Sequence, residues 1–392
     1  MHESFRLGRI LGIRIGAHWT VLGIAGMVAW VLASQILPEA VPGRPVPEYW
    51  AAGIAAALLF FVSLLAHELA HAVVAKREGL EVEGITLWLL GGVAQLRGEA
   101  RSPGAEARIA GVGPLVSVVL GVVAAIVAWG ALTVGLPPLV VAGAAWLAGV
   151  NIVLGLFNLL PGAPLDGGRI LRAIVWRTRG DALRATRVAT TVGRLLGFGL
   201  IAFGIGELVL GADASGIWTM VLGFFLVNAA GIESTQAVLV NALQGLRVRA
   251  VMDGGLLRVP GGLRLDTFTG QLAQAQRASA YLVAGPGGEV RGIVVLGQVA
   301  RVPAGERAGK RLEEIALPLA AVPSAGPDEL LTDVLARQQQ GSPGVLVIEG
   351  GVPVGFVGRR EIEEAIEKAR LIGRGGAASG PAGRPSDAAP HA

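Results

Sequence analysis

The chain has 392 residues, 53% of them hydrophobic and only 16% charged, with a formal net charge of +4. Soluble domains usually carry about 25% charge, so a wholly water-soluble protein is excluded, and the lack of a basic tract interleaved with aromatics argues against nucleic acid as a partner. There is no cysteine, which removes structural disulfides, Cys-ligated zinc, iron–sulfur clusters and thiol catalysis and leaves His and carboxylates to hold any metal.

Six apolar runs approach the length of about 20 residues that a membrane span needs. They lie at about 16–37, 50–74, 107–134, 138–160, 188–211 and 215–234. The first is too long for a signal peptide and lacks a small-residue cleavage site, so it reads as a retained anchor. Basic residues alternate between the loops. Arg6, Arg9 and Arg14 precede the first run, and Lys76, Arg77, Arg97 and Arg101 follow the second. Arg169, Arg172, Arg177, Arg179, Arg184 and Arg187 follow the fourth, whereas Arg44 is alone between the first two. This bias predicts a multi-pass protein of a bacterial-type cell membrane with both termini cytoplasmic. Trp50 and Trp218 read as interfacial belt residues, Arg194 as a snorkelling one and Glu106 as a cap of the third span.

The stretch "GITLWLLGGVAQLRGEA" (84–100) is apolar but too short to cross, and Gly91 and Gly92 break it. Its β-branched and aromatic residues predict a hairpin or re-entrant element. Such backbone survives at membrane depth only against protein or a wet cavity. From about 245 short strands and amphipathic helices take over. Residues 248–303 and 312–369 repeat one order, with a strand ending at "VP", a helix, a strand, a glycine-rich turn, a strand and a short helix. The expected fold is therefore an α-helical polytopic membrane protein with about six transmembrane helices and a C-terminal soluble α/β domain. Residues 1–240 form the membrane domain, with a core at about 50–172, and 245–370 form the soluble repeat. Residues 373–392, rich in Gly, Ala, Pro and Ser, read as a disordered tail.

Chemistry concentrates in "LLAHELAHAVVAK" (64–76). On a helix, His67 and His71 share one face a turn apart, the spacing at which two imidazoles bind one zinc and an adjacent carboxylate, here Glu68, serves as general base. The plain alternative is a pair of helix-end histidines near the cytoplasmic interface at Lys76, with Glu68 solvated. A catalytic zinc wants a third protein ligand and an open position. Asp166 in "NLLPGAPLDGGR" (158–169) follows a span ending on the same side, among helix-breaking Pro161, Pro164, Gly167 and Gly168. By itself this segment is ordinary turn chemistry. At a depth matching the two histidines it becomes the third ligand.

"AHELAHA", "GVGPLVS" (111–117) and "FNLLPGAPLDGGR" together resemble the site-2 protease family of intramembrane zinc metalloproteases, closely over about 50–172. The resemblance implies that His67, His71 and Asp166 bind Zn2+, that Glu68 is the catalytic base and that Asn158 helps hold substrate. Ala163 stands where that family often has the first of two adjacent prolines. It also implies regulated proteolysis of a membrane-anchored protein within the lipid bilayer, with residues 84–97 clamping an extended substrate by strand addition. The soluble repeat resembles a tandem cystathionine-β-synthase (CBS) pair, which implies regulation, an adenine nucleotide ligand and a possible homodimer. It departs from that pattern where a hydroxyl residue and an aspartate hold the ribose: Val295 and Gln298, and Gly358 and Glu361, occupy those positions. Two rivals stay open at this point, a CBS-regulated transporter or channel and a membrane-anchored quality-control zinc protease. Against the first, spans one, five and six offer few ionisable groups: His18, Arg194 and Glu207.

Overall fold

A computed structural model describes residues 4–88, 91–98, 100–211, 215–272, 278–338 and 341–375. The chain divides into two compact units, Met1–Ala237 and Val238–Ala392.

In the first unit, β1 (Phe5–Ile10) and β2 (Ile13–Ala17) form a hairpin. Its two turn residues, Leu11 and Gly12, both have positive φ, the backbone that a tight two-residue hairpin demands. The first span follows as α1 (Thr20–Val31), a π-helical turn and α2 (Leu37–Ala40). It starts at Thr20 rather than 16 because Gly16 and Ala17 belong to β2. Helix α3 (Val46–Arg77) is the second span; its 32 residues exceed what the bilayer core needs, and Lys76 and Arg77 close its last turn.

The expected hairpin is present as β3 (Glu81–Trp88) and β4 (Gly91–Arg97), while residues 89–90 and 99 lie outside the described ones. It is half of a four-stranded sheet in the order β1-β2-β3-β4. Strand β2 runs parallel to β3, from Arg14 opposite Gly84 to Ala17 opposite Leu87. The buried face of the sheet presents Ile13 and Ile85 to Ala72, Leu65, Leu69 and Val73 of α3. The sheet therefore lies along the part of α3 that carries the histidines. That contact meets the condition for non-helical backbone at membrane depth.

Four further spans are α4 (Pro103–Thr133), α5 (Pro138–Asn158), α7 (Ala182–Val209) and α8 (Ser215–Leu243). Between α5 and α7 lies α6 (Asp166–Arg179), an amphipathic helix that the apolar-run analysis does not foresee because it is too polar to span. Ser102 caps α4, accepting the Ala105 N–H at 3.2 Å, and Asp181 caps α7, accepting that of Arg184 at 2.9 Å. Helices α4 and α5 approach through small residues: Gly121 faces Ala148 and Ile152, and Gly155 faces Pro114 and Val118.

The second unit repeats one motif. Its first half contains α9 (Val248–Val251), β5 (Leu257–Pro260), α10 (Leu265–Leu272), β6 (Ala280–Ala284), β7 (Val290–Val295) and α11 (Leu296–Arg301). The second half contains α12 (Leu312–Ile315), β8 (Ser324–Ala325), α13 (Leu331–Ala336), β9 (Val345–Glu349), β10 (Val352–Val357) and α14 (Arg359–Gly375). Each half pairs its first strand parallel to the second and its second antiparallel to the third. The halves share a core in which Ala280, Ile293 and Val295 meet Val322, Leu346 and Phe356. These two halves make up the C-terminal α/β domain that the sequence repeat predicts. The expected disordered tail, from 376 onward, lies outside the described residues.

Candidate metal centre

Helical spacing brings His67 and His71 onto one buried face of α3, their Nε2 atoms 3.1 Å apart and their rings inclined at 73°. The carboxylate arrives from another element. After α5 the chain turns through Leu159–Leu165, with a cis Ala163–Pro164 bond, and starts α6 at Asp166. The turn lies so close on α6 that a Cβ on Gly167 or Gly168 would collide with the backbone of Leu159, Leu160 and Gly162. Only glycines allow this fold-back. Asp166 Oδ2 thereby comes to 3.3 Å from His67 Nε2 and 3.2 Å from His71 Nε2.

Among the described residues this is the one cluster of three such groups able to share a metal ion. The chemistry can be tested on its edges. Bonds of about 2.0–2.1 Å to nitrogen and oxygen in tetrahedral geometry put ligand atoms about 3.3–3.4 Å apart. The three observed separations, 3.1, 3.2 and 3.3 Å, fit one face of that tetrahedron. Two imidazoles and a carboxylate are also the donor set that cysteine-free chemistry leaves for zinc.

Helix α4 supplies the supporting contacts. The other ring nitrogen of each histidine has a partner there: His67 Nδ1 lies 2.8 Å from Ser117 Oγ, and His71 Nδ1 donates to the Ile109 carbonyl at 2.6 Å. A proton on Nδ1 leaves the Nε2 lone pair free for a metal, the usual way an outer partner selects the tautomer. Between these contacts lies Gly113, so close to the rings that an added Cβ would sit 2.7 Å from His67 Nε2. Ser117, Ile109 and Gly113 lie against the two histidines, contacts that spacing arguments miss. The "GVGPLVS" stretch marks two of them as a pattern without giving their task.

The remaining expected residues are less tightly gathered. Glu68 is half-buried on α3 beside His67. Asn158 ends α5, with its Nδ2 donating to the Leu154 carbonyl of its own helix at 3.0 Å. Glu106 does not cap the third span as expected. Ser102 does, and the Glu106 carboxylate instead accepts from Arg172 Nη1 at 2.7 Å. At the end of α3 an exposed fork joins Arg108 to Glu78 at 2.7 and 2.8 Å, and the Arg108 guanidinium holds the Glu78 carboxyl below its usual range.

The model of peptidase family M50 matches residues 55–141 and 138–200. A Mycobacterium tuberculosis protein whose name, Rip3, assigns it to the zinc metalloproteases is 42% identical over 373 residues, 95% of each chain. The solved site-2 protease from Methanocaldococcus jannaschii is 32% identical, covers 59% of this chain and 94% of its own, and has a TM-score of 0.41. A CBS-domain-containing protein from Agrobacterium tumefaciens, 17% identical, covers 31% of this chain and 96% of its own at a TM-score of 0.26.

Proposed function

The chain belongs to peptidase family M50 and is an intramembrane zinc metalloprotease of the site-2 protease type; on that basis we propose that His67, His71 and Asp166 hold the zinc and that Glu68 is the general base. The observation that carries the ligand assignment is the near-equilateral triangle of Nε2, Nε2 and Oδ2 atoms. Zinc bound there supplies Lewis acidity, which acidifies water and polarises a carbonyl. The protein's own part is proton handling. The Glu68 carboxylate takes a proton from the attacking water and returns it to the leaving amine. Ser117 and the Ile109 carbonyl keep both imidazoles in the ligating tautomer throughout.

Family M50 acts on membrane-anchored substrates, and the substrate path is part of the proposal. A peptide must be extended before a protease can reach its carbonyl. Strand β4 is an edge of the sheet, with β3 on one side only, so its free edge can pair with an unwound substrate strand. Asn158, with its amide nitrogen bound to Leu154, offers its side-chain oxygen to the substrate backbone. The loop charges support cytoplasmic termini in a cell membrane. The CBS pair is proposed as the regulatory unit and as a homodimer contact, read by the mass of the solubilised protein. An adenine nucleotide would have to bind there without ribose contacts from two positions. Gln298 accepts from Val295 N at 3.1 Å, and buried Glu361 accepts from Gly358 N at 2.8 Å and Ser279 Oγ at 2.5 Å. A thermal shift of the full chain with ATP or AMP tests this part.

The decisive variant is Glu68→Gln. It keeps the ligands, so zinc content should match wild type while cleavage of a fluorescent transmembrane peptide in detergent disappears. Retained cleavage refutes the base assignment. Cleavage of casein in preference to the transmembrane peptide would instead favour a protease of soluble unfolded proteins.

A further inference from the structure

The catalytic scheme uses neither member of one buried ion pair. Glu106 is 5% exposed, and the Arg172 side chain, 17% exposed, donates Nη1 to its Oε1 at 2.7 Å. The Arg172 guanidinium also lies over the Trp176 ring, 5.8 Å from its centroid.

The partners sit on the two elements that complete the metal centre. On α4, Glu106 is one turn before Ile109, whose carbonyl accepts from His71 Nδ1. On α6, Arg172 follows Asp166 by less than two turns. One helix seats the imidazoles, and the other delivers the carboxylate. A buried pair is a poor source of net stability, because desolvation offsets much of the attraction, whereas fixing register is its best-attested use. The exposed Arg108–Glu78 fork offers a contrast: it joins the residue that ends α3 to α4, and neither partner belongs to α6.

We propose that Glu106 and Arg172 are positioning residues that lock α6 against α4 and so set Asp166 Oδ2 relative to the two Nε2 atoms. The inference rests on the zinc assignment above. Metal sites tolerate errors of about 0.2 Å in ligand distance, so a small slide of α6 is enough to weaken the site.

The test uses the full chain in detergent, with zinc affinity read by competition with a chromogenic chelator. Glu106→Gln and Arg172→Gln should each weaken zinc binding about tenfold, the lower end of outer-contact effects. The two together should be no worse than either alone. Single variants leave a buried charge, so the apolar pair Glu106→Leu with Arg172→Met is the deciding protein. It should melt at or above the wild-type temperature, bind zinc about tenfold more weakly and lose kcat with KM within twofold. Zinc affinity within twofold of wild type in that double variant overturns the proposal, and so does early melting, which would make the pair a structural staple. Arg108→Gln should leave zinc affinity unchanged, and an equal loss there would also overturn it. His67→Ala is run alongside. If that variant keeps its zinc, the ligand assignment itself has failed rather than the positioning role.

Discussion

Gly113→Ala should empty the metal centre without unfolding the protein. The new Cβ would stand 2.6 Å from His71 Cε1 and 2.7 Å from His67 Nε2, and nearer still to His71 Nε2. Ordinary contact for such atoms begins at about 3.5 Å, so even the less crowded ring must withdraw by about 0.8 Å. That is several times the tolerance of about 0.2 Å within which a metal site keeps its ligands. Overpacking of this kind costs about 1–3 kcal/mol, which a six-span bundle can absorb. Zinc affinity should therefore fall by at least about 100-fold, beyond the effect of losing an outer partner, and proteolysis with it. Elemental analysis and chelator competition on the solubilised chain read the first, and circular dichroism checks the fold. Gly111→Ala is the internal control, because its Cβ meets only Ile170 Cδ1 at 4.0 Å. A Gly113→Ala protein that binds one zinc with wild-type affinity would refute the account of how α4 seats the histidines.

Ser117→Ala removes the partner of His67 Nδ1 and should weaken zinc binding about 10–100-fold, measured by the same competition. Gly344→Ala should destabilise the second unit by about 1–3 kcal/mol. Gly344 has φ +143°, and its Cβ would lie 2.7 Å from both Phe356 Cε1 and the Val357 carbonyl; pulse proteolysis reads the loss. The Gly326 N–H and the Arg337 guanidinium hold the Glu329 carboxyl below its ordinary value of 4.5. A depressed carboxylate stabilises the fold above its unfolded pKa, and that contribution disappears as pH falls through its folded one. Hydrogen exchange around Glu329 should accordingly rise below about pH 4.5, and Glu329→Gln should flatten that dependence.

The membrane core and most of the candidate metal centre were legible because both are written in short-range periodicity. Apolar runs of span length need no tertiary information, and neither does the one-face pairing of His67 with His71. Asp166 was legible by a different route, as an acid among helix breakers at the matching end of a span. Contacts between elements were not. Ser117 is one hydroxyl in an apolar helix, and nothing local says that it faces His67, 50 residues away. Glu106 and Arg172 are 66 residues apart and each reads as an ordinary helix-end charge. The strands β1 and β2 escaped notice because arginines and glycines dilute their alternation, and β2 is completed by a partner far along the chain.

That distant partner sets an order of events during synthesis. Residue 14 of β2 pairs beside residue 84 of β3, so at about 5–20 residues per second the hairpin waits roughly 4–14 s for its neighbour to be made. Through that interval the first two spans must already be handed to the bilayer, while Ile13 and Ile15 have no sheet or α3 to cover them. The sheet over the helix that bears the histidines can therefore close only after β3 has been made, whatever the first hairpin has done before then.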